Sequence, residues 1–135
     1  MIRKRIPDKY KAKSMLAAAE LEINFIKKLE ISKESSSVII RSVYECFRML
    51  GDALMVSRGK EAIGTDHHTE MVNELFTLKV ETKRPIQVIS SLKQLRHKIN
   101  YQGYMPSIEE TKEALSIVDA CFKPILDKIK EEVSK

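Results

Sequence analysis

The chain is poor in the residues that interrupt regular structure. Its 135 residues include four glycines and four prolines, which are too few for the many turns of an all-β fold. Aliphatic residues, lysine and glutamate are abundant, and these residue types favour helices. Because 135 residues make one domain of ordinary size, we expect a single all-α domain over residues 1–135.

Cysteine and long apolar runs are also scarce. Cys46 and Cys121 are far apart and each lies in an apolar stretch, which predicts two buried thiols rather than a disulfide or a metal site. No apolar stretch approaches the ~20 residues that cross a bilayer. Acidic residues follow the basic N-terminus too soon for a signal peptide. We therefore expect a cytoplasmic protein without membrane contact.

Basic residues outnumber acidic ones. The net charge is +5, which is compatible with RNA, DNA or a nucleotide as partner. A few extra lysines on an ordinary helical protein would give the same value. The basic run from Arg3 to Arg5 is either a frayed terminus or a phosphate contact.

Apolar residues recur at helical spacing and predict an up-down antiparallel bundle of about five helices. The expected helices run from about Asp8 to Lys28, from Ser32 or Ser35 to Ser57, from Thr65 or Asp66 to Phe76, from Thr82 to Gln102, and from Ser107 onward.

Local signals mark several helix ends. Thr82 is a plausible N-cap, and Gly103 stands where it would end the fourth helix. Ser107 and Glu110 have the spacing of a capping box. Pro124 lies inside the fifth helix, so we expect a kink near residue 122.

The second helix carries a row of alternating charges, Arg41, Glu45, Arg48 and Asp52. Residues of opposite charge at this spacing can pair along a helix. A solvated ladder of ion pairs is the expected arrangement, with a catalytic role as the alternative.

The stretch LRHKINYQGY, residues 95–104, is unusual for a helix surface. A helical projection places the apolar residues Val88, Leu92, Leu95 and Ile99 on the core face. Arg96 and Asn100 lie on its shoulder, and His97, Tyr101 and Tyr104 lie on the far side.

Tyrosine is enriched where a surface is half buried and at interface hot spots. We therefore expect the far side to pack against a second chain or a ligand, with idle surface residues as the alternative. Arg96 needs a partner for its charge. It is expected either to pair with Glu45 or Asp52, or to be held ready for a phosphate.

These features resemble a HEPN domain (higher eukaryotes and prokaryotes nucleotide-binding). The resemblance covers about Asp8 to Val133 and rests on the long helix pair, the short helix, and an arginine followed by a polar residue late in the fourth helix. It implies a homodimer whose cleft cuts RNA without a metal. It also implies pairing with a minimal nucleotidyltransferase, as toxin and antitoxin.

Arg96 and His97 match the start of the family motif, but Tyr101 stands where a histidine is expected. The motif is therefore Arg-x4-Tyr. The resemblance implies that Arg96 clamps phosphate, His97 acts as acid or base, and Tyr101 donates a hydrogen bond. Asn100 and Tyr104 would line the same cleft.

Two functional hypotheses follow. The first is binding of RNA or nucleotide phosphate in a dimer cleft, with metal-independent endoribonuclease activity in question because the histidine is missing. The second is a non-catalytic helical interaction module that dimerises and binds a nucleotidyltransferase-type partner.

The string TDHHTE, residues 65–70, could suggest a metal site, since His67 and Glu70 are three residues apart. Two ligands at the start of a helix do not make a site. We interpret the string as a first helical turn in which Asp66 complements the helix dipole, and we expect neither a metal nor a cofactor.

Overall fold

The computed structural model describes residues 1–65 and 67–135. Asp66, with its expected role at a helix start, lies outside the described residues. The elements in chain order are β1 (Ile2–Lys4), α1 (Lys9–Ile26), α2 (Ser36–Ser57), β2 (Lys60–Ala62), α3 (His67–Leu75), α4 (Ser90–Gln102), α5 (Ile108–Ile117) and α6 (Lys123–Val133). A 3₁₀ turn, Ile86–Ile89, leads into α4, and a π-helical turn, Val118–Phe122, joins α5 to α6.

The fold is an all-α helical bundle, as predicted. With α5 and α6 counted as one interrupted helix, the described residues contain the five expected helices. α2 lies at the centre and packs against α1, α3, α4, α5 and α6. Its wide apolar stripe, which includes Ile40, Val43, Phe47, Leu50 and Leu54, is fully buried.

The local signals place most helix ends correctly. The Asp8 side chain accepts a hydrogen bond from the Lys11 amide (2.9 Å) and caps α1. The Ser107–Glu110 capping box is present at the start of α5. Gly103 ends α4 with a left-handed backbone, φ 64°.

Thr82 does not cap the fourth helix. Its hydroxyl donates instead to the carbonyl of Arg84. Pro85 precedes a 3₁₀ turn, and α4 begins only at Ser90. The residue before a proline is disfavoured in helical conformation, so the helix starts later than predicted.

The structure contains a two-stranded antiparallel sheet that the sequence did not predict. Ile2 pairs with Ala62, and Lys4 with Lys60. Glu61 accepts hydrogen bonds from the guanidinium groups of Arg3 and Arg5. Arg3 and Lys4 therefore lie in a strand, and the Arg5 amide donates to the Gly59 carbonyl (2.8 Å), so the basic run is not a frayed terminus. Strands of three residues have too little periodicity to be recognised in a sequence.

Pro124 interrupts the last helix, as expected, and the irregularity takes the form of a π-helical turn. A proline has no N–H, so it cannot donate to the carbonyl of Ala120. The Lys83 amide, in the segment before α4, donates to that carbonyl instead (3.4 Å).

Both cysteines are buried free thiols, as predicted. The Cys46 thiol donates to Glu22 Oε2 (3.2 Å), which joins α1 to α2. None of the helices in residues 1–65 and 67–135 has the length together with the apolar content that crossing a bilayer requires.

α3 lies directly against the backbone of α2. A Cβ atom at Gly51 would come within 1.9 Å of the Met71 carbonyl oxygen, so only glycine fits at this position. An ionic network holds the other end of α3. Arg58 donates to Glu74 (2.9 Å) and to both carboxylate oxygens of Glu132 (2.7 and 2.8 Å). These two contacts fix α3 on the central helix.

Candidate functional site

The predicted site residues of α4 point in different directions. Arg96 is half buried and turned toward α2, where its Cζ atom lies 5.2 Å from the centroid of the Tyr44 ring. His97, Asn100 and Tyr101 are exposed on the outer side. Within one chain, the structure therefore does not bring Arg96 together with His97 and Tyr101.

Arg96 forms neither of the two ion pairs considered for it. Among the described residues, neither Glu45 nor Asp52 lies within ion-pairing distance of its guanidinium group. Its guanidinium group lies instead over the face of the Tyr44 ring, a cation–π contact that stabilises the positive charge. Within residues 1–65 and 67–135, none of the hydrogen-bond donors of this planar group has an acceptor.

The predicted pairing along α2 is present for three of its four residues. Arg48 donates to both carboxylate oxygens of Glu45, at 3.0 Å from Nε to Oε2. Asp52 lies 3.9 Å from the same guanidinium group. Arg48 is only 14% exposed, so this is a partly buried cluster rather than a solvated ladder. Arg41 is exposed and forms no such ion pair with a described residue.

The start of α3 adds an imidazole that the sequence did not predict as a site residue. His68 is half buried. Burial, followed by the positive charge of Arg48, lowers the pKa of His68, and Arg96 contributes in the same direction. The imidazole is therefore neutral at pH 7 and keeps a lone pair that can accept a proton or a hydrogen bond.

Two carboxylates of α2 respond in opposite ways to this environment. The hydrogen bond from Arg48 holds the pKa of Glu45 below its usual value, with smaller contributions from His68 and Arg96. Burial raises the pKa of Asp52, although Arg48 opposes this effect. Glu45 is thus ionised, and its carboxylate is stabilised by the nearby His68 from α3 and Arg96 from α4.

We call Tyr44, Glu45, Arg48, His68 and Arg96 the inner cluster. The Tyr44 side chain is 1% exposed, and its hydroxyl has no hydrogen-bond partner among the described residues. Burial raises the pKa of Tyr44, against the opposing charge of Arg96. The cluster therefore combines two guanidinium groups, a neutral imidazole and an unsatisfied phenol donor around one carboxylate.

The outer side of α4 forms a separate surface. Tyr101 is 70% exposed, and its ring centroid lies 5.0 Å from that of His97. The Tyr104 hydroxyl donates to Glu110 (2.6 Å) and so belongs to the α5 cap. This hydrogen bond to a carboxylate raises the pKa of Tyr104. Tyr104 is therefore fixed within the chain, whereas the His97–Tyr101 pair is available to a partner.

His67 and Glu70 of the TDHHTE string both have partners within the chain. His67 Nδ1 lies 2.9 Å from the Gly64 carbonyl oxygen, and Glu70 accepts from the N-terminal ammonium group. In the described part of the chain, no three His, Cys, Asp or Glu side chains are grouped where they could hold a metal ion together.

The sequence prediction did not include Tyr44 or His68 in the site, and it considered Arg48 only as part of the charged row of α2. One signal was available. Gly51 lies in the middle of a strongly helical stretch, and an isolated glycine there often marks a close packing contact. That contact brings α3, and His68 with it, onto the polar side of α2.

No protein-family model, no curated protein sequence and no solved structure matches this chain.

Proposed function

We propose that the inner cluster binds a phosphate group of RNA or of a nucleotide. The observation that carries this proposal is the state of Arg96. Its guanidinium group is half buried, lies over Tyr44, and has no carboxylate partner among the described residues. A planar guanidinium can donate to two oxygens of one phosphate at the same time.

The neighbouring groups support the same ligand. Arg48 is held by two hydrogen bonds to Glu45 and a third to Met71 Sδ, and its positive charge acts on Tyr44 and His68 together with that of Arg96. The Tyr44 ring lies beneath Arg96 and supports its guanidinium group from the side of the core, while the Tyr44 hydroxyl itself is buried. Neutral His68 accepts a proton from a bound group more readily than a charged imidazole would. The resemblance of the Arg96–His97 stretch to the HEPN motif leads to the same class of ligand.

The cluster is assembled from a single chain. Arg96 and His68 come from α4 and α3 of one copy, so phosphate binding here does not require a second subunit. The dimer cleft expected from the resemblance would instead have to combine the outer His97 and Tyr101 with groups from another chain. We therefore place the proposed phosphate site at the inner cluster.

Binding is tested by fluorescence anisotropy with a labelled single-stranded RNA at several salt concentrations. Removing one charged donor typically weakens binding by roughly 10- to 100-fold, so we expect that range for Arg96→Gln, together with a smaller salt dependence. Lys33→Gln is the matched control, because Lys33 is exposed in the loop between α1 and α2. Equal weakening by both variants would indicate nonspecific attraction and would contradict the proposal.

The same cluster suggests a metal-independent cleavage reaction. The 2′-oxygen of RNA would attack the phosphorus, its proton would pass to the His68 imidazole, and the bond from phosphorus to the 5′-oxygen would break. The products would be a 2′,3′-cyclic phosphate and a 5′-hydroxyl that takes its proton from water. Cleavage in EDTA that is lost in both Arg96→Gln and His68→Gln would support this step. Loss only in His97→Gln would transfer the acid–base role to the outer surface.

The outer surface of α4 favours a second candidate function, a non-catalytic interaction module. An aromatic side chain that is 70% exposed beside an imidazole is typical of an interface anchor. The expected partner is a minimal nucleotidyltransferase, such as one encoded beside this chain. Calorimetric titration of that partner with Tyr101→Ser against the parent protein tests the role. Retained affinity in the variant would exclude Tyr101 as an anchor.

A further inference from the structure

The outer face of α1 is free of charge over three helical turns. Its exposed residues between positions 14 and 25 are Ser14, Ala17, Ala18, Leu21, Asn24 and Phe25, in a chain of which 32% is charged. Leu21 is 75% exposed and Phe25 is 61% exposed. Depletion of charge around a large aromatic anchor is typical of the core of a protein interface.

The charged residues of this stretch of α1 are turned toward the bundle. Glu20 forms an ion pair with Lys130 of α6, with 3.1 Å between Oε1 and Nζ. Glu22 accepts the hydrogen bond from the Cys46 thiol of α2. Both carboxylates are therefore engaged within the chain, and Glu22 lies only at the edge of the outer face, whose exposed residues between Ser14 and Phe25 are uncharged.

The spacing of this face has the form of a coiled-coil seam. Ser14, Ala18, Leu21, Phe25 and Lys28 follow one another at intervals of four, three, four and three residues, the alternation that lines up side chains in paired helices. A shallow groove is lined by Ala18, Leu21, Glu22, Asn24, Phe25 and Lys28. In knobs-into-holes packing, a side chain of one helix enters a hole formed by four residues of the facing helix. The groove contains two complete holes of this kind, at positions 18, 21, 22 and 25 and at positions 21, 24, 25 and 28.

We propose that this face binds a second copy of the same chain, with the two α1 helices antiparallel about a two-fold axis between positions 19 and 20. In this register Leu21 of each copy lies opposite Ala18 of the other, and Phe25 lies opposite Ser14. Each large side chain thus meets a small one. Two identical surfaces can be complementary in this way only through a two-fold arrangement, and this is why we infer a second copy rather than an unrelated protein.

The ends of the seam predict how the dimer responds to salt. Lys11 and Lys28 fall opposite each other in this register, and both are exposed. Their repulsion is screened as ionic strength rises, while the apolar centre is insensitive to screening. The dimer is therefore expected to tighten with salt, whereas phosphate binding weakens with salt. The two proposals can fail independently, since α1 packs on α2 and α6 while the inner cluster lies between α2, α3 and α4.

Sedimentation equilibrium of the full chain over a wide range of concentration tests the interface. One helix pair is smaller than a standard stable interface, so we expect a reversible monomer–dimer equilibrium that becomes monomeric in Leu21→Lys and in Phe25→Lys. Both positions are exposed, and circular dichroism should show that the variants remain folded. Tyr101→Lys is the matched control and is expected to leave the dimer intact. A monomer at every concentration, or a dimer broken only by Tyr101→Lys, would overturn the proposal.

Disulfide trapping tests the register. A mixture of the Ser14→Cys and Phe25→Cys variants should form a crosslinked dimer on mild oxidation, because the two positions are opposite each other. Neither variant alone should crosslink, since identical positions lie 11 residues apart along the antiparallel pair, or about 16 Å. The native thiols are buried and do not interfere. Crosslinking by either variant alone would indicate parallel helices and would exclude the two-fold arrangement proposed here.

Discussion

The guanidinium group of Arg96 lies over the ring of Tyr44, with 5.2 Å between Cζ and the ring centroid. This contact joins α4 to the central helix through a charge and an aromatic face rather than through two opposite charges. It therefore stabilises the bundle without neutralising Arg96.

We expect Arg96→Met to lower the free energy of unfolding by about 1 kcal/mol, since a cation–π contact at a partly buried site contributes about 0.5–2 kcal/mol. Urea denaturation measures the change. Lys98→Met is the control, because Lys98 lies 5.6 Å from the Tyr104 ring on the exposed surface and should matter less. A loss above about 3 kcal/mol would instead indicate a broken buried ion pair.

Tyr44→Phe is expected to raise the free energy of unfolding by about 1 kcal/mol. The hydroxyl is buried without a partner among the described residues, and an unsatisfied polar group costs about 1–3 kcal/mol. Phenylalanine keeps the ring beneath Arg96. Thermal and urea unfolding measure the change. A destabilised variant would mean that the hydroxyl is hydrogen-bonded in solution.

His68 should make the stability depend on pH. Burial and the charge of Arg48 lower its pKa below the usual 6.5, so the unfolded chain binds the proton more readily than the folded one. Its contribution to stability is complete above pH 6.5 and is lost as the pH falls from 6.5 toward the folded pKa.

Urea denaturation between pH 7.5 and 5 measures this loss, and His68→Gln is expected to reduce it. The control is His97→Gln, which removes an exposed imidazole outside the inner cluster. The same acid-induced loss in the His68→Gln variant and the parent would show that other groups, such as the carboxylates, cause it.

Gly51→Ala is expected to destabilise the protein by about 3 kcal/mol, the upper part of the range for overpacking. Its Cβ would lie 1.9 Å from a backbone oxygen of α3, which cannot move aside as a side chain would. Gly103→Ala is the control. That glycine has φ 64° with no atom near its Cβ position, so it should cost about 1–2 kcal/mol of backbone strain. Equal losses would mean that α3 shifts easily.

The sequence predicts the bundle well because the relevant signals are local. The apolar stripe of α2, the Asp8 cap, the box of Ser107 and Glu110, and the break before Pro124 each depend on neighbours within a turn or two. The β1–β2 pairing joins residues nearly sixty positions apart through strands of three residues, and no local signal marks it.

The candidate site depends on long-range packing and was predicted only in part. A helical projection correctly put Arg96 at the edge of the core and His97 and Tyr101 outside. It could not show that the charge of Arg96 would act on His68 and help to lower its pKa, because the two residues come from different helices. Nor could it show that Glu45 is already engaged by Arg48 and leaves Arg96 to Tyr44.

The hydrogen bond from the Lys83 amide to the Ala120 carbonyl gives Pro124 an influence far from its own helix. A regular helix would direct that carbonyl at the N–H of residue 124. Because Pro124 has no N–H, the Ala120 carbonyl remains available, and its hydrogen bond with the Lys83 amide holds the segment that leads into α4. The segment that leads into the helix of Arg96 is thus attached to a helical turn opened by a proline 28 residues further along the chain. A search for variants that alter phosphate affinity should therefore include the last helix as well as the residues around the cluster.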